Sequence, residues 1–257
     1  MNIVVLVKQV PDTWAERKLS DSDHTLDRES VDAVINELDE YAVEEALRLK
    51  EAHGGQVTVL SMGPARTTET IRKALSMGAD AGIHVTDEAL HGSDAIQTAK
   101  ALAKALGTVE WDLVIAGSES TDARMSVLAA MLSELLGVPQ LSRARKVSVD
   151  GRTVRIERLT EEGYDVVEAS TPAVLSVVEK INEPRYPSFK GIMQAKSKPV
   201  TTLGVSDLGL DEVGLGSAYS QVVEFAQRPP RQAGQVVKDE GDGGTKIAEY
   251  LASNKLV

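Results

Sequence analysis

A chain of 257 residues, 42% apolar and 26% charged, is long enough for one large domain or two small ones and too apolar to stay disordered along most of its length. Its formal net charge of -11 argues against binding phosphate backbones or anionic lipid surfaces, which require clustered Lys and Arg. Cysteine is absent, so disulfides, thiolate metal sites and cysteine nucleophiles are excluded, and any redox chemistry must come from a bound cofactor.

The opening MNIVVLVKQV has neither the basic nor the long apolar part of a secretory signal, and no apolar run approaches the ~20 residues that span a bilayer, so a cytoplasmic protein without membrane insertion is expected. Ile3 to Val7 is continuously apolar and β-branched, as a strand covered on both faces requires. From Asn36, NELDEYAVEEALRLKEAHGG predicts a helix: Asn36 and Asp39 make a capping pair, apolar residues, Tyr41, Leu47 and Leu49 among them, recur at helical spacing, and Gly54-Gly55 stops it. QVTVLSM is a strand, GPARTTETIRKALSMG a loop and capped helix ending at Gly78, and GIHVT a further strand. Ser93 caps a helix through Leu106, DLVIAG from Asp112 is an apolar strand, and TDARMSVLAAMLSELLG reads as a helix ending at Gly137.

This alternation predicts an α/β fold, a doubly wound and mostly parallel sheet of Rossmann-like, adenine-nucleotide-binding type, with ligands beyond the carboxyl ends of the strands. The loops after Val7, Met62 and Gly117 are then the candidate site. Beyond Pro139 the texture changes: KVSVDGRTVRIERL is a hairpin about Asp150-Gly151, and the runs at Val166 and Val174 add β structure that extends or flanks the same sheet. A nucleotide-binding domain is expected over 1–210, and an irregular, Gly-rich C-terminal arm over 211–257 with a short helix at Ile247 to Leu251.

No Walker loop or Rossmann glycine fingerprint is present, and His24, His53, His84 and His91 lack metal-ligand spacing, so no metal site is assigned. GSESTDARMS, from Gly117 to Ser126, sets small and hydroxyl residues between a core strand and a helix. Free N–H groups and the positive helix end can hold a phosphate there; the same residues would also serve as an ordinary helix cap. Asn36 and Asp39 could meet an adenine or ribose, or simply cap their helix, and Lys8 and Arg124 could pair with phosphates or stay solvated. NEPRYPSFKGIMQAK, from Asn182, carries more apolar groups than a loop normally does, either as a docking loop or with Phe189 tucked onto its own domain.

Taken together, AVEEALRLKE, GPARTTETIRKALSMGAD, the GSESTD loop, IERLTEEGYDVVEASTPAVLSV and NEPRYPSFKGIMQAK resemble the electron transfer flavoprotein beta subunit, in order from residue 3 to about residue 200. The resemblance implies a redox carrier, not an enzyme in its own right, that works as a heterodimer. The alpha subunit supplies most of the FAD site, and the beta subunit holds a structural AMP and shields one side of the flavin. By position, the AMP pocket uses Leu6, Asn36, Glu37, Leu38, Asp39 and Met62. It also uses the loop Gly117, Ser118, Glu119, Ser120, Thr121, Asp122, Ala123, Arg124, Met125, Ser126, Val127 and Leu128.

Arg124 to Ala129 replace a polar, glycine-containing stretch of the family, so Arg124 or Ser126 is expected to take over the phosphate contact. The resemblance also implies partner docking through Pro184, Tyr186, Phe189, Ile192, Met193 and Lys196, with Phe189 as the apolar anchor. Acyl-CoA and related flavin dehydrogenases are the implied electron donors and a quinone oxidoreductase the acceptor. The alternatives are a bifurcating flavoprotein with FAD in place of AMP, and a stand-alone adenine-nucleotide-binding module.

Overall fold

The computed structural model describes residues 1–230, 234 and 236–257. In chain order the elements are β1 (Asn2–Leu6), β2 (Gln9–Pro11), β3 (Ala33–Ile35), α1 (Glu37–His53), β4 (Gln56–Met62), α2 (Thr68–Met77), β5 (Ala81–Val85), α3 (Ala95–Leu106), β6 (Leu113–Gly117) and α4 (Leu128–Leu136). They continue with β7 (Gln140–Asp150), β8 (Thr153–Leu159), β9 (Tyr164–Ser170), β10 (Ala173–Val177), α5 (Phe189–Ala195), β11 (Val200–Leu203), α6 (Val205–Leu208) and α7 (Gly243–Ser253).

One nine-stranded sheet runs in the order β11-β5-β4-β1-β6-β10-β7-β8-β9. From β11 to β7 neighbouring strands are parallel, and β7, β8 and β9 follow as an antiparallel meander. The expected fold class is the observed one, and the hairpin turns at Asp150-Gly151 as read. The segment around Val174 does more than flank the sheet: β10 lies between β6 and β7, parallel to both and fully buried.

Continuously apolar strands serve two cores at once because alternate side chains point to opposite faces. Ile3 and Val5 of β1, with Val7 just beyond it, join a cluster with Ala42, Leu47, Ile71 and Leu75 of α1 and α2. Val4 and Leu6 enter the other cluster with Leu102, Leu106 and Leu132 of α3 and α4. Leu113 and Ile115 of β6 divide from Val114 and Ala116 in the same way.

Element ends differ from expectation in three places. The cap of α3 is Asp94 in a capping box with Gln97, while Ser93 Oγ instead accepts the Gly214 N–H. Asn36 makes no side-chain cap on α1. The helix read as starting near Thr121 begins only at Leu128, because Arg124 and Ser126 adopt left-handed backbone (φ 51° and 56°) that a right-handed helix cannot contain.

By internal contacts the chain divides into Met1–Val223 and Glu224–Val257. In the first unit Tyr219 accepts a hydrogen bond from Lys100 Nζ, and the Ser220 N–H donates to Asp94, so residues just beyond Gly209 are tied to α3. The second unit contains α7; residues 231–233 and 235 of the expected arm lie outside the described residues.

Candidate functional site

The chain passes from β1 to β4 and β5 on one side and then returns to place β6 on the other side of β1. Strand order reverses there, the point at which open α/β sheets place a ligand crevice outside the carboxyl ends of their strands. Lys8 follows β1, Asn36 precedes α1, and Gly117 to Asp122 leave β6, so segments far apart in sequence meet at this switch point.

Asn36 is fully buried and joins the loops: its Nδ2 donates to Glu119 O (2.9 Å), and its Oδ1 accepts the Thr121 N–H (3.0 Å). Its expected capping partner, Asp39, accepts the Lys8 backbone N–H at Oδ2 (2.8 Å). Gly117 is required by close approach. A Cβ there would lie 2.5 Å from Asp39 Oδ1 and 2.8 Å from Leu38 O, so only glycine lets the start of α1 reach the end of β6.

Lys8 Nζ donates to Ser120 Oγ (3.2 Å) and to Asp122 Oδ1 (2.8 Å), and an Arg28 guanidinium nitrogen donates to Asp122 Oδ2 (2.9 Å). Burial pushes the Asp122 carboxyl up, but Lys8 and Arg28 outweigh it and hold the group down at about 2. Burial raises Asp39 to about 7 despite the hydrogen bonds from Asn36 and the Lys8 backbone. Burial also lowers Lys8, an effect that Asp122 opposes. The Thr121 Oγ1 hydroxyl is buried without a hydrogen-bond partner.

Leu6 and Met62 end neighbouring strands and pack in the α3/α4-side cluster. Ser118, Glu119, Ser120 and Thr121 are half-buried in the crevice loop, and Val127 and Leu128 are half-buried at the start of α4. Ala123, Arg124, Met125 and Ser126 are exposed, and the Ser126 hydroxyl donates to Glu119 Oε2 (2.8 Å). Glu37 is also exposed; it lines a separate cavity of about 450 Å³ between β3, α1 and α2, beside Asp12, Trp14, Glu40 and Lys73. Arg28 was missed by sequence reasoning: it lies in an irregular excursion and meets Asp122 across 94 residues, so no spacing signals it.

The segment from Asn182 to Lys196 forms a second surface, and part of it, α5, is helical where a loop was expected. Ser188 caps α5 by accepting the Gly191 N–H. Gly191 lies so close to Ser76 O on α2 that a Cβ would collide with it. Arg185 forks onto Glu44 and Glu51 of α1, and Asn182 Nδ2 donates to Tyr41 O and Glu45 Oε2. Burial raises Glu44, yet hydrogen bonds from Arg185 and Arg48 keep its carboxyl below the usual range. Held at both ends, the segment leaves Tyr186 and Phe189 93% and 82% exposed, with Ile192, Met193 and Lys196 also facing solvent and Pro184 half-buried.

The fold is that of a doubly wound α/β protein, with a candidate ligand site at its switch point. The family model described as electron transfer flavoprotein domain matches residues 23–208. The electron transfer flavoprotein subunit beta of Mycobacterium bovis is 56% identical over 264 aligned residues, covering 100% of this chain and 99% of that protein. That of Clostridium acetobutylicum is 38% identical over 100% of this chain and 98% of its own length. The caffeyl-CoA reductase-Etf complex subunit CarD of Acetobacterium woodii is 33% identical over 98% and 96%. The chain belongs to the electron transfer flavoprotein family, on the side of its beta subunits. No helix among the described residues is long and apolar enough to cross a membrane.

Proposed function

We propose that this chain pairs with an alpha subunit to form a soluble electron carrier, holds AMP in the switch-point crevice, and helps enclose an FAD bound mainly by the alpha subunit. Donors are flavin dehydrogenases, acyl-CoA dehydrogenases among them, and the acceptor is a quinone oxidoreductase. The convergence of Asn36, Asp39 and Gly117 to Asp122 at one crevice carries this reading, because residues assigned to the pocket from separate segments share a site. An adenine nucleotide fits what is there: the orphaned Thr121 Oγ1 offers a hydrogen bond, and the loop stands where open α/β sheets place their ligands.

When bound, FAD supplies the redox chemistry; the protein holds it, tunes its electrostatics and brings partners near. The exposed Tyr186, Phe189, Ile192 and Met193 patch suits transient docking, since one large apolar anchor contributes much of the energy of a small interface. The test is co-expression with the alpha subunit, followed by release and quantification of bound nucleotides. One FAD and one AMP per heterodimer is the expected result. Two FAD would point to a bifurcating flavoprotein, and a folded, nucleotide-bound homodimer that ignores the alpha subunit would point to a stand-alone module.

A further inference from the structure

The seven residues of α5 are too few for a helix that stands by itself, so its order comes from what it touches. Phe189, Ile192 and Met193, spaced i, i+3 and i+4, are exposed together on one face. Gly191 and Ala195, spaced i and i+4, face the domain: Gly191 meets Ser76 O on α2, and Ala195 is buried in the α1/α2-side cluster. The two helices also exchange caps at their carboxyl ends, where the last carbonyls lack intrahelical partners. The Ala195 carbonyl of α5 accepts from Nη1 of Arg72 on α2 (2.5 Å), which donates to Lys198 O as well (2.9 Å). In return, Lys198 Nζ, from just beyond α5, donates to Leu75 O at the end of α2 (2.9 Å) and to Ala79 O (2.5 Å). Each side supplies the cation that closes the other's carboxyl end.

We propose that Arg72 and Lys198 are positioning residues for partner docking: their reciprocal caps keep α5 folded before a partner arrives, so that Phe189, Ile192 and Met193 enter an apolar groove on a flavin dehydrogenase as one face of a preformed helix. The inference rests on the docking reading above and deepens it, since neither residue belongs to the exposed patch. A segment that orders only on binding loses part of its interaction energy to ordering, and its apparent affinity falls in proportion to the fraction of molecules in which it is folded. Loss of either cap therefore weakens docking without altering the surface that docks.

The experiment uses the flavin-loaded heterodimer and two readouts. Hydrogen exchange of peptides covering residues 189–198, followed by mass spectrometry, reads α5 directly in the absence of a dehydrogenase. Wild-type α5 should be protected, and Arg72→Ala and Lys198→Met should lose that protection while the strands of the sheet keep theirs. Reduction by an acyl-CoA dehydrogenase at rising heterodimer concentration reads docking. Both variants should raise the half-saturating concentration about tenfold and keep the limiting rate and flavin content. Arg72→Lys, which can still reach one carbonyl, should recover part of the loss.

In a Phe189→Ala background Arg72→Ala should add little, because no anchor is left for α5 to position. Wild-type α5 amides that exchange as fast as those of an unfolded chain would overturn the preformed helix, whatever the variants do. Wild-type half-saturation in both cap variants, or an Arg72→Ala effect that adds in full to that of Phe189→Ala, would overturn the positioning role. Loss of protection throughout the sheet in the cap variants would overturn it too, since the caps would then serve the whole fold. A Phe189→Ala variant with wild-type half-saturation would instead overturn the docking reading on which the proposal rests.

Discussion

Burial raises the Asp39 carboxyl to about 7, while Lys8 and Arg28 hold Asp122 at about 2 against the same effect. The two groups therefore load the pH dependence of stability with opposite signs. The unfolded chain loses the Asp39 proton near its ordinary value of about 4, whereas the folded chain keeps it up to about 7, so this contribution to stability falls as pH rises through that window and is level above it. Asp122 stabilises the fold above about pH 4, and that contribution is lost as pH falls towards about 2. The urea midpoint of wild type, relative to Asp39→Asn, should decline between about pH 4 and about pH 7 and then flatten. A difference that is constant with pH would mean that Asp39 is already ionised in the folded state. The same neighbourhood shows where sequence reasoning stops: Asn36 and Asp39 were legible as a pair, but their partners Glu119, Thr121 and Lys8 belong to other loops.

At the scale of elements, α5 is a short helix whose placement depends on one glycine. Gly191 brings it against the backbone of α2 at Ser76 O, a contact that cannot yield as a flexible side chain would. Gly191→Ala should lower the unfolding free energy by about 1–3 kcal/mol and displace the Phe189 patch. Phe189→Ala removes a side chain that is already exposed, so it should leave stability and flavin content unchanged while slowing reduction by an acyl-CoA dehydrogenase. Stopped-flow reduction and thermal unfolding of both variants separate the two effects; unchanged kinetics in both would remove the docking role.

Alternating apolar runs and glycine stops made the succession β1, α1, β4, α2, β5, α3, β6 and α4 readable, because each unit's signal is local, whereas the short β2 and β3 between β1 and α1 were not read. Two further features were hidden for different reasons. Pro184, Pro187 and Gly191 read as loop residues, yet Ser188 caps a helix among them. Arg124 and Ser126 carry no mark of the left-handed backbone that postpones α4 to Leu128, since glycine is the residue that normally signals it.

For the molecule as a whole, the two contact units have different claims to independent stability. Met1–Val223 contains both hydrophobic clusters and the entire nine-stranded sheet. The described residues of Glu224–Val257 contribute to neither cluster: α7 has no buried residue, and Ile247, Tyr250, Leu256 and Val257 stand exposed. A helix of 11 residues is marginal alone in water, and this one gains nothing from burying its apolar side chains until something covers them. If the alpha subunit is that cover, deleting residues 224–257 should leave the melting temperature of the isolated chain nearly unchanged and sharply weaken heterodimer formation, read by thermal scanning and by size-exclusion chromatography with the alpha subunit. A large drop in melting temperature would place the segment in the fold's own stability. Undiminished assembly would show that the heterodimer is made through the first unit alone, with the exposed face of α7 left for a different partner.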